Sequence, residues 1–534
     1  MPWLLEELPE TLRTALVHGT EGAGHLRGCA RLAAQAGRAR LSGELLLAAW
    51  AQSPLDAVLA GEAASLPDIP ASVRGVAAFV AENSRPPVNP GDLGYYQRLA
   101  QRREAVKIAH YLERQLEADP GNLFWERLSL THALDAEDWD AAGAVIARLP
   151  EPLARLLGGD AAMMRGAPEA ALANYARCVR LWECPGLTAR LGLACVALGQ
   201  RAEAESWLRA GLTREPWQVH ALLALYDLLF AGPGLRSLPE GETVVLLYTW
   251  NKARDIGLTL ESLAASELGQ AHIIVLDNGS TDDTAQVLDS WGGKLGPERF
   301  STVSLPVNVG APAARNWLMS LPVVKQSQWT VFLDDDVSLP PDWLGLLGAA
   351  AGLYPLAGVW GARVRDFSRP AHVQSADVFL DAAFGSIGAR DAGEGRRFSL
   401  SSCHHQTLDR GQFAYVRPCA TVTGCCHMFR TRTLAGQGGF DLRYSPSQYD
   451  DLDHDIRLLL SGRTPVYQGH LAVGHFKSTG SQGGEGQAQY GVGWANQYKL
   501  HQKFDQDTFR RAASVADRAA WEDALAKWRA VAPQ

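Results

Sequence analysis

Between residues 243 and 336 the chain repeats one device: a short apolar run closes on polar residues, and an amphipathic stretch leads to the next run. The runs are VVLLYTW, HIIVLD and TVFLD, and DIGLTLESLAAS and TAQVLDSWG lie between them. Runs this short suit buried strands and the longer stretches suit helices, so their alternation predicts a parallel sheet with helices on its faces. In open sheets of that kind ligands bind beyond the carboxyl ends of the strands. The residues to examine are therefore Tyr248-Thr249-Trp250-Asn251, then Asp277-Asn278-Gly279-Ser280-Thr281-Asp282-Asp283, then Asp334-Asp335-Asp336. Neither a Walker-type loop nor a G-x-G-x-x-G follows the first run, which argues against P-loop and dinucleotide-dehydrogenase chemistry.

Three adjacent aspartates at the end of a buried run repel one another and raise one another's pKa. A divalent cation removes that cost. Oxygen donors alone favour Mg²⁺ or Mn²⁺, either of which can grip a diphosphate and neutralise its charge as it leaves. A solvated acidic turn is the plainer alternative, common for two carboxylates and less so for three.

Residues 1–235 are rich in Ala, Leu, Arg and Glu with apolar residues at helical spacing, which predicts an all-α region. Within 155–218, Gly159, Gly166, Ala171 and Tyr175 recur 33 residues later as Gly192, Gly199, Ala204 and Leu208, with Pro216 as a stop. Small residues at this spacing resemble tetratricopeptide repeats, in which paired helices must approach closely to bury a shared apolar stripe. Trp139, Ala141 and Ala142 suggest a weaker third copy, and the first hundred residues show none. An ordinary Ala-rich helical domain is the alternative. Gly and Pro concentrate in AGPGLRSLPEG, residues 231–241, which places a linker at 236–241, an α/β domain at 242–480, and a Gly-rich loop with a helical tail at 481–534.

A length of 534 residues exceeds what one core holds, and 47% hydrophobic with 20% charged residues is an ordinary globular balance. The net charge of -8, without a dense Lys/Arg run, argues against nucleic acid as the main partner. No positive and apolar leader opens the sequence, and no apolar stretch is long enough for a transmembrane segment. The expectation is a cytoplasmic protein, with peripheral attachment to a membrane left open. Eight scattered cysteines without a C-x-x-C pair suit reduced thiols. A zinc site built from Cys425, Cys426 and His427 with Cys403, His404 and His405 can be imagined, but its spacing departs from the usual knuckles.

The 240-residue segment from the first strand onward resembles the family 2 glycosyltransferases of the GT-A fold. Tyr248-Thr249-Trp250-Asn251 is similar to their nucleotide-touching Pro-Thr-Tyr-Asn element, with Tyr in place of Pro. Asp277-Asn278-Gly279-Ser280-Thr281-Asp282 is similar to their Asp-Asp-Gly-Ser-Thr-Asp loop, and either Asp277 or Asn278 would contact the base. Asn308-Val309-Gly310 with Ala314-Arg315-Asn316 resembles the element that holds the donor, which makes Arg315 a phosphate partner. Asp334-Asp335-Asp336, followed by Pro340, Pro341 and Leu344, matches the Asp-x-Asp metal motif. The resemblance implies Asp336 as direct metal ligand, Asp334 toward the sugar or ribose and the metal, and Asp335 on the donor.

Gly438-Gly439-Phe440-Asp441 and Tyr449-Asp450-Asp451-Leu452-Asp453 resemble two later family elements, the second of which supplies the general base. That role maps to Asp451, with Asp450 beside it in place of the usual Glu. His454 and Asp455 replace apolar residues. Val473-Gly474-His475 resembles the late His that completes the metal site, and Cys419 to His427 falls where relatives place the floor of the acceptor site, its cysteines read as small core residues.

The resemblance implies an inverting, Mn²⁺- or Mg²⁺-dependent transfer from a nucleotide sugar, a UDP-sugar foremost, to a hydroxyl of a glycan or protein acceptor. The helical repeats would recruit the acceptor or a protein partner, and the Gly-rich stretch after His475 would close over the donor. The main alternative is a repeat scaffold with an inactive nucleotide-sugar-binding domain. Nucleotidyl transfer is a third reading, disfavoured by the lack of a basic Gly-rich loop at the first strand.

Overall fold

The computed structural model describes residues 3–182, 184–231, 234–381, 398–401, 404–477 and 487–532. Most of the expected Gly-rich loop, and Cys403, lie outside the described residues.

Thirteen strands are described: β1 Thr243–Thr249, β2 His272–Asp277, β3 Phe300–Ser304, β4 Trp329–Leu333, β5 Val337–Ser338, β6 Val359–Asp366, β7 His372–Ser375, β8 Leu380–Asp381, β9 Ser399–Leu400, β10 His405–Leu408, β11 Val416–Pro418, β12 Cys426–Arg430 and β13 Pro465–His475. The main sheet runs β10-β7-β6-β12-β4-β1-β2-β3, with β13 beside β6 and with β5 and β11 paired to β13. The stretch β4-β1-β2-β3 is parallel, as the alternating runs predict. Beyond β4 the sheet turns antiparallel through β12. β4 is buried along its whole length, because helices cover both faces, and this accounts for its unbroken apolar run. Register sets the site: Thr249 lies opposite Asp277 and Leu247 opposite Leu333, so the three polar strand ends open at one edge.

The region before β1 is all α, and six consecutive helix pairs are described within it. They are Ala23–Gln35 with Ala39–Gln52, Ala57–Ala64 with Ala71–Asn83, Pro90–Gln101 with Ala105–Ala118, Leu123–Ala136 with Trp139–Ile146, Glu151–Met164 with Pro168–Leu181, and Leu187–Ala197 with Arg201–Arg214. Close approach explains the small residues: a Cβ on Gly159 would stand 2.3 Å from Tyr175, and one on Gly192 would stand 2.7 Å from Leu208. The pairing thus begins well before the sequence signal. Turns closed by Gly166 and Gly199 in the later pairs are closed by Arg103 (φ 56°) and Glu137 (φ 52°) in earlier ones, so the glycine signature is missing there.

The helical and α/β regions share one apolar core. Arg417 of β11 reaches back to the carbonyls of Val17 and His18, at 2.7 Å each. Arg410 donates to Glu21 (2.7 Å) and Gln52 (2.9 Å), and Asp227 accepts from the Val416 amide at 2.9 Å. The helix Gln506–Val531, read from sequence as a polar tail, clasps both regions. Its Ala512, Ala513, Ala516, Ala520 and Ala524 are buried, Trp521 and Trp528 stack on Trp3 at 5.5 and 5.3 Å, and Lys527 is sunk beside Asp523 and the Val416 carbonyl. Alanines on one face let the helix pack close, and that face is easily overlooked among the charges around it. No described helix is long and apolar enough to cross a membrane.

Candidate active site

The loops after β1 and β2 brace each other. Asn251, at φ 53°, accepts from the Thr281 amide (2.7 Å) and donates its own amide to Ser280 Oγ (2.9 Å). Asp277 accepts from the Ser280 amide at 2.9 Å. Asn278 is buried and spends both ends of its amide on the next loop, donating to Asn308 Oδ1 (3.0 Å) and accepting from the Val309 amide (3.0 Å). Thr249 is buried at the end of β1, whereas Trp250 is half exposed at the rim. Asp277 and Asn278 are thus both engaged in shaping the loops.

The three aspartates diverge in role. Asp335 and Asp336 both accept from Lys252 Nζ, at 2.8 and 2.7 Å, and Asp336 also meets His475 Nε2 at 3.0 Å. Burial alone would lift Asp336, but His475 and Lys252 outweigh it and hold its carboxyl well below the usual carboxylate range. The same contacts raise His475 and Lys252 above their ordinary values, against the effect of burial. Asp334 lacks such a close cation. Burial pushes it up to about 6, opposed by Arg315 at 3.5 Å and reinforced by Asp336.

His475 is held in one orientation. The Gln374 side-chain amide donates to the Lys477 carbonyl (2.9 Å), so its Oε1 faces His475 Nδ1 at 2.9 Å and accepts a hydrogen bond from its N–H. Nε2 is therefore the nitrogen turned toward the carboxylates, which is what a metal-ligating His requires. One donor atom each from Asp334, Cys425 and His475 lie within 4.8 Å of one another. This donor chemistry fits a divalent cation, with Asp336 adjacent through His475.

Arg315 is buried between the aspartates and the later acidic helix. It donates to Asp450 at 2.6 Å and lies over Tyr248, Phe332 and Phe440. Its charge is taken up inside the protein, linking Asp334 to Asp450. Among the carboxylates at the start of the helix Asp450–Leu460, Asp450 pairs with Arg315, and Asp453 pairs with Lys503 (2.6 Å) and Arg457 (3.0 Å). Asp451 has no ion-pair partner among the described residues. Its carboxylate accepts from the amides of Gly424 and Leu452, at 2.8 Å each. The unusual polarity of this helix is internal: Asp455 accepts from Thr421 Oγ1 (2.8 Å) and the Val422 amide (3.0 Å), and His454 lies against Phe429 and Phe440.

Among the described residues the zinc site imagined from the Cys/His clusters does not assemble. His404 is beside Asp377 at the contact between the two regions, and His427 packs against Phe332 and Phe429. Sequence reasoning missed Lys252, Gln374 and the part of Cys425 nearest the cation site. Lys252 had a signal, being the first basic residue after the first strand and facing an acidic strand end. Gln374 had none, since it reaches the site only through the pairing of β7 with β6.

The family model for Glycosyl transferase family 2 matches residues 244–433. No curated protein matches the chain by sequence. Solved structures that resemble it include GalNAc-T7 with UDP, GalNAc and Mn²⁺, at 14% identity and TM-score 0.36, covering 47% of this chain and 46% of that one. Another is the mannosyltransferase PcManGT from Pyrobaculum calidifontis in complex with GDP-Man and Mn²⁺, at 15% identity and TM-score 0.36, covering 64% and 85%. A third is S. aureus TarS, at 17% identity and TM-score 0.29, covering 43% and 36%. The chain thus spans under half the length of the first and third. The parallel strands of the α/β region agree with that match, and a family 2 glycosyl transferase domain is supported over residues 244–433.

Proposed function

We propose that the chain transfers a sugar, with inversion, from a nucleotide-sugar donor to an acceptor hydroxyl in a reaction that depends on a divalent cation. The observation that carries this reading is that Asp334, Asp336 and His475 converge at one strand edge while Asp451, without an ion-pair partner among the described residues, stands next to them across Gly424 and Cys425. Asp334, Asp336 and His475 would hold Mn²⁺ or Mg²⁺, which when bound neutralises charge on a departing diphosphate. Asp451 accepts the proton of the acceptor hydroxyl as that oxygen bonds to the anomeric carbon and the carbon–oxygen bond to the diphosphate breaks. Arg315 fixes Asp450, and with it the first turn of the helix that carries Asp451. Trp250, Asn251, Asp277 and Asn278 shape the place for the base, with a UDP-sugar as the first donor to try.

The helix pairs support a tetratricopeptide-like reading and a recruiting role. An open groove of about 520 Å³, lined by Trp139, Glu151, Arg155, Arg165 and Asn174 among others, lies along them and leaves room for an acceptor or partner chain. The site is tested by calorimetric titration of the full chain with UDP, GDP, CMP and TDP, with and without Mn²⁺, in wild type and Asp336→Ala. Metal-dependent binding of one nucleotide that the variant loses is the expected outcome. A folded chain that binds none of them favours the scaffold reading, for which the Lys252 contacts with Asp335 and Asp336 would be a permanent internal neutralisation.

A further inference from the structure

Cys425 immediately precedes β12, and its carbonyl accepts from the Asp334 amide at 3.0 Å, which fixes it against the acidic strand end. Its side chain is 3% exposed, and its thiol has no hydrogen-bond partner among the described residues. The Cys419 thiol, by contrast, donates to the Thr421 carbonyl at 3.4 Å. The Cys425 sulfur, one Asp334 oxygen and one His475 ring nitrogen lie within 4.8 Å of one another. Ligand atoms bound to one zinc ion stand roughly 3.3 to 3.8 Å apart, so a shift of about an ångström closes the set. Sulfur, imidazole and carboxylate together suit a borderline cation, whereas Mg²⁺ takes oxygen donors and keeps its water.

We propose that Cys425 is a ligand of the cation site and gives it a preference for Zn²⁺ over Mg²⁺ and Mn²⁺. This rests on the reading of Asp334 and His475 as cation ligands. On binding, the thiol gives up its proton to solvent and the thiolate forms the sulfur–metal bond, so one proton leaves with each cation taken up this way. Zn²⁺ then competes with Mn²⁺ for a single place, and the sulfur sets which cation the domain carries.

The test uses the full chain with Co²⁺ as probe, because a thiolate ligand gives Co²⁺ a charge-transfer absorption that oxygen and nitrogen ligands do not. Wild type should develop this band, saturating at one equivalent, and Zn²⁺ should bleach it. Cys425→Ser should lose the band, and its Zn²⁺-to-Mn²⁺ affinity ratio should fall at least tenfold, with Mn²⁺ followed by the resonance signal of the free ion. Cys425→Ala provides a second variant, circular dichroism establishes that each is folded, and Cys426→Ser should keep the band. Mn²⁺ binding by wild type without a band, or a band retained in folded Cys425→Ser, overturns the proposal and leaves the cation site standing. If folded wild type binds neither Mn²⁺ nor Co²⁺, the reading of the site has failed and the proposal falls with it.

Discussion

Replacing Arg417 with alanine removes the main polar tie between the helical and α/β regions. Its guanidinium is 1% exposed, pairs with Asp377, and donates to the carbonyls of Val17 and His18. Without it the Asp377 carboxylate, itself 0% exposed, keeps the Tyr415 hydroxyl at 2.9 Å and His404 at 3.0 Å but loses its permanent cation. Breaking a buried pair from one side costs about 3 to 5 kcal/mol, and two carbonyls deprived of donors add to that figure. A central value of about 4 kcal/mol corresponds to a factor of roughly a thousand in the opening equilibrium. Hydrogen exchange is the assay, read at the amides of 15–19, 416 and 417, where the two regions meet. Arg417→Ala should lower their protection by about three orders of magnitude. Pairing Arg417→Met with Asp377→Leu should restore most of it, because no unpaired charge remains. A loss below tenfold in the single variant would show that the arginine is not what holds the contact.

Asp451→Asn should lower turnover by about 10² to 10⁴ while metal-dependent nucleotide binding stays intact, and a nucleotide titration beside the rate measurement separates the two. Lys252→Met leaves Asp335 without its cation and Asp336 with His475 alone beside it, and should tighten Mn²⁺ binding by about tenfold; unchanged or weaker binding in calorimetry would mean that the lysine helps the cation. Asp334, pushed up to about 6, and His475, raised above its ordinary value, must each lose a proton to accept a cation, so Mn²⁺ affinity should already be falling as pH drops toward 6 and should fall at least about tenfold per unit below it. A profile flat to pH 5 would refute this. His454 is buried and neutral, its pKa lowered to about 3 by burial and the nearby arginines. The unfolded chain takes up that proton below about pH 6.5 and the folded chain does not until about 3, so stability falls as pH drops through that window. His454→Phe should shift acid unfolding to lower pH, and an unmoved midpoint would place the acid sensitivity elsewhere.

The parallel strands and their acidic ends were legible because burial on both faces forces unbroken apolar runs, and those runs stop where the site begins. Asp334 and Asp336 stood out as adjacent carboxylates at the end of a buried run, whereas Asp451 and His475 were singled out only through the resemblance to the family. The antiparallel continuation through β12, β6 and β7 left no such mark, since its partners are far apart in sequence, and Gln374 was hidden with it. The later helix pairs showed themselves through glycines demanded by close packing. Earlier pairs with Arg103 and Glu137 at the turns stayed hidden. Arg315 was singled out as a phosphate partner only through its place in the Ala314-Arg315-Asn316 element. Its neighbours Asp450 and Phe440 decide which way that charge is spent, and only folding brings them together.

The stacking of Trp3 between Trp521 and Trp528 also has a consequence in time. At about 5 to 20 residues per second, a ribosome takes roughly 25 to 100 s to traverse the stretch between these rings. Throughout that interval the first helices are without the surface that covers them in the finished molecule, including the apolar face around Trp3, Leu5 and Leu16. A nascent chain of this protein should therefore call on holding chaperones until the helix Gln506–Val531 emerges, and shortening that helix should lengthen the dependence.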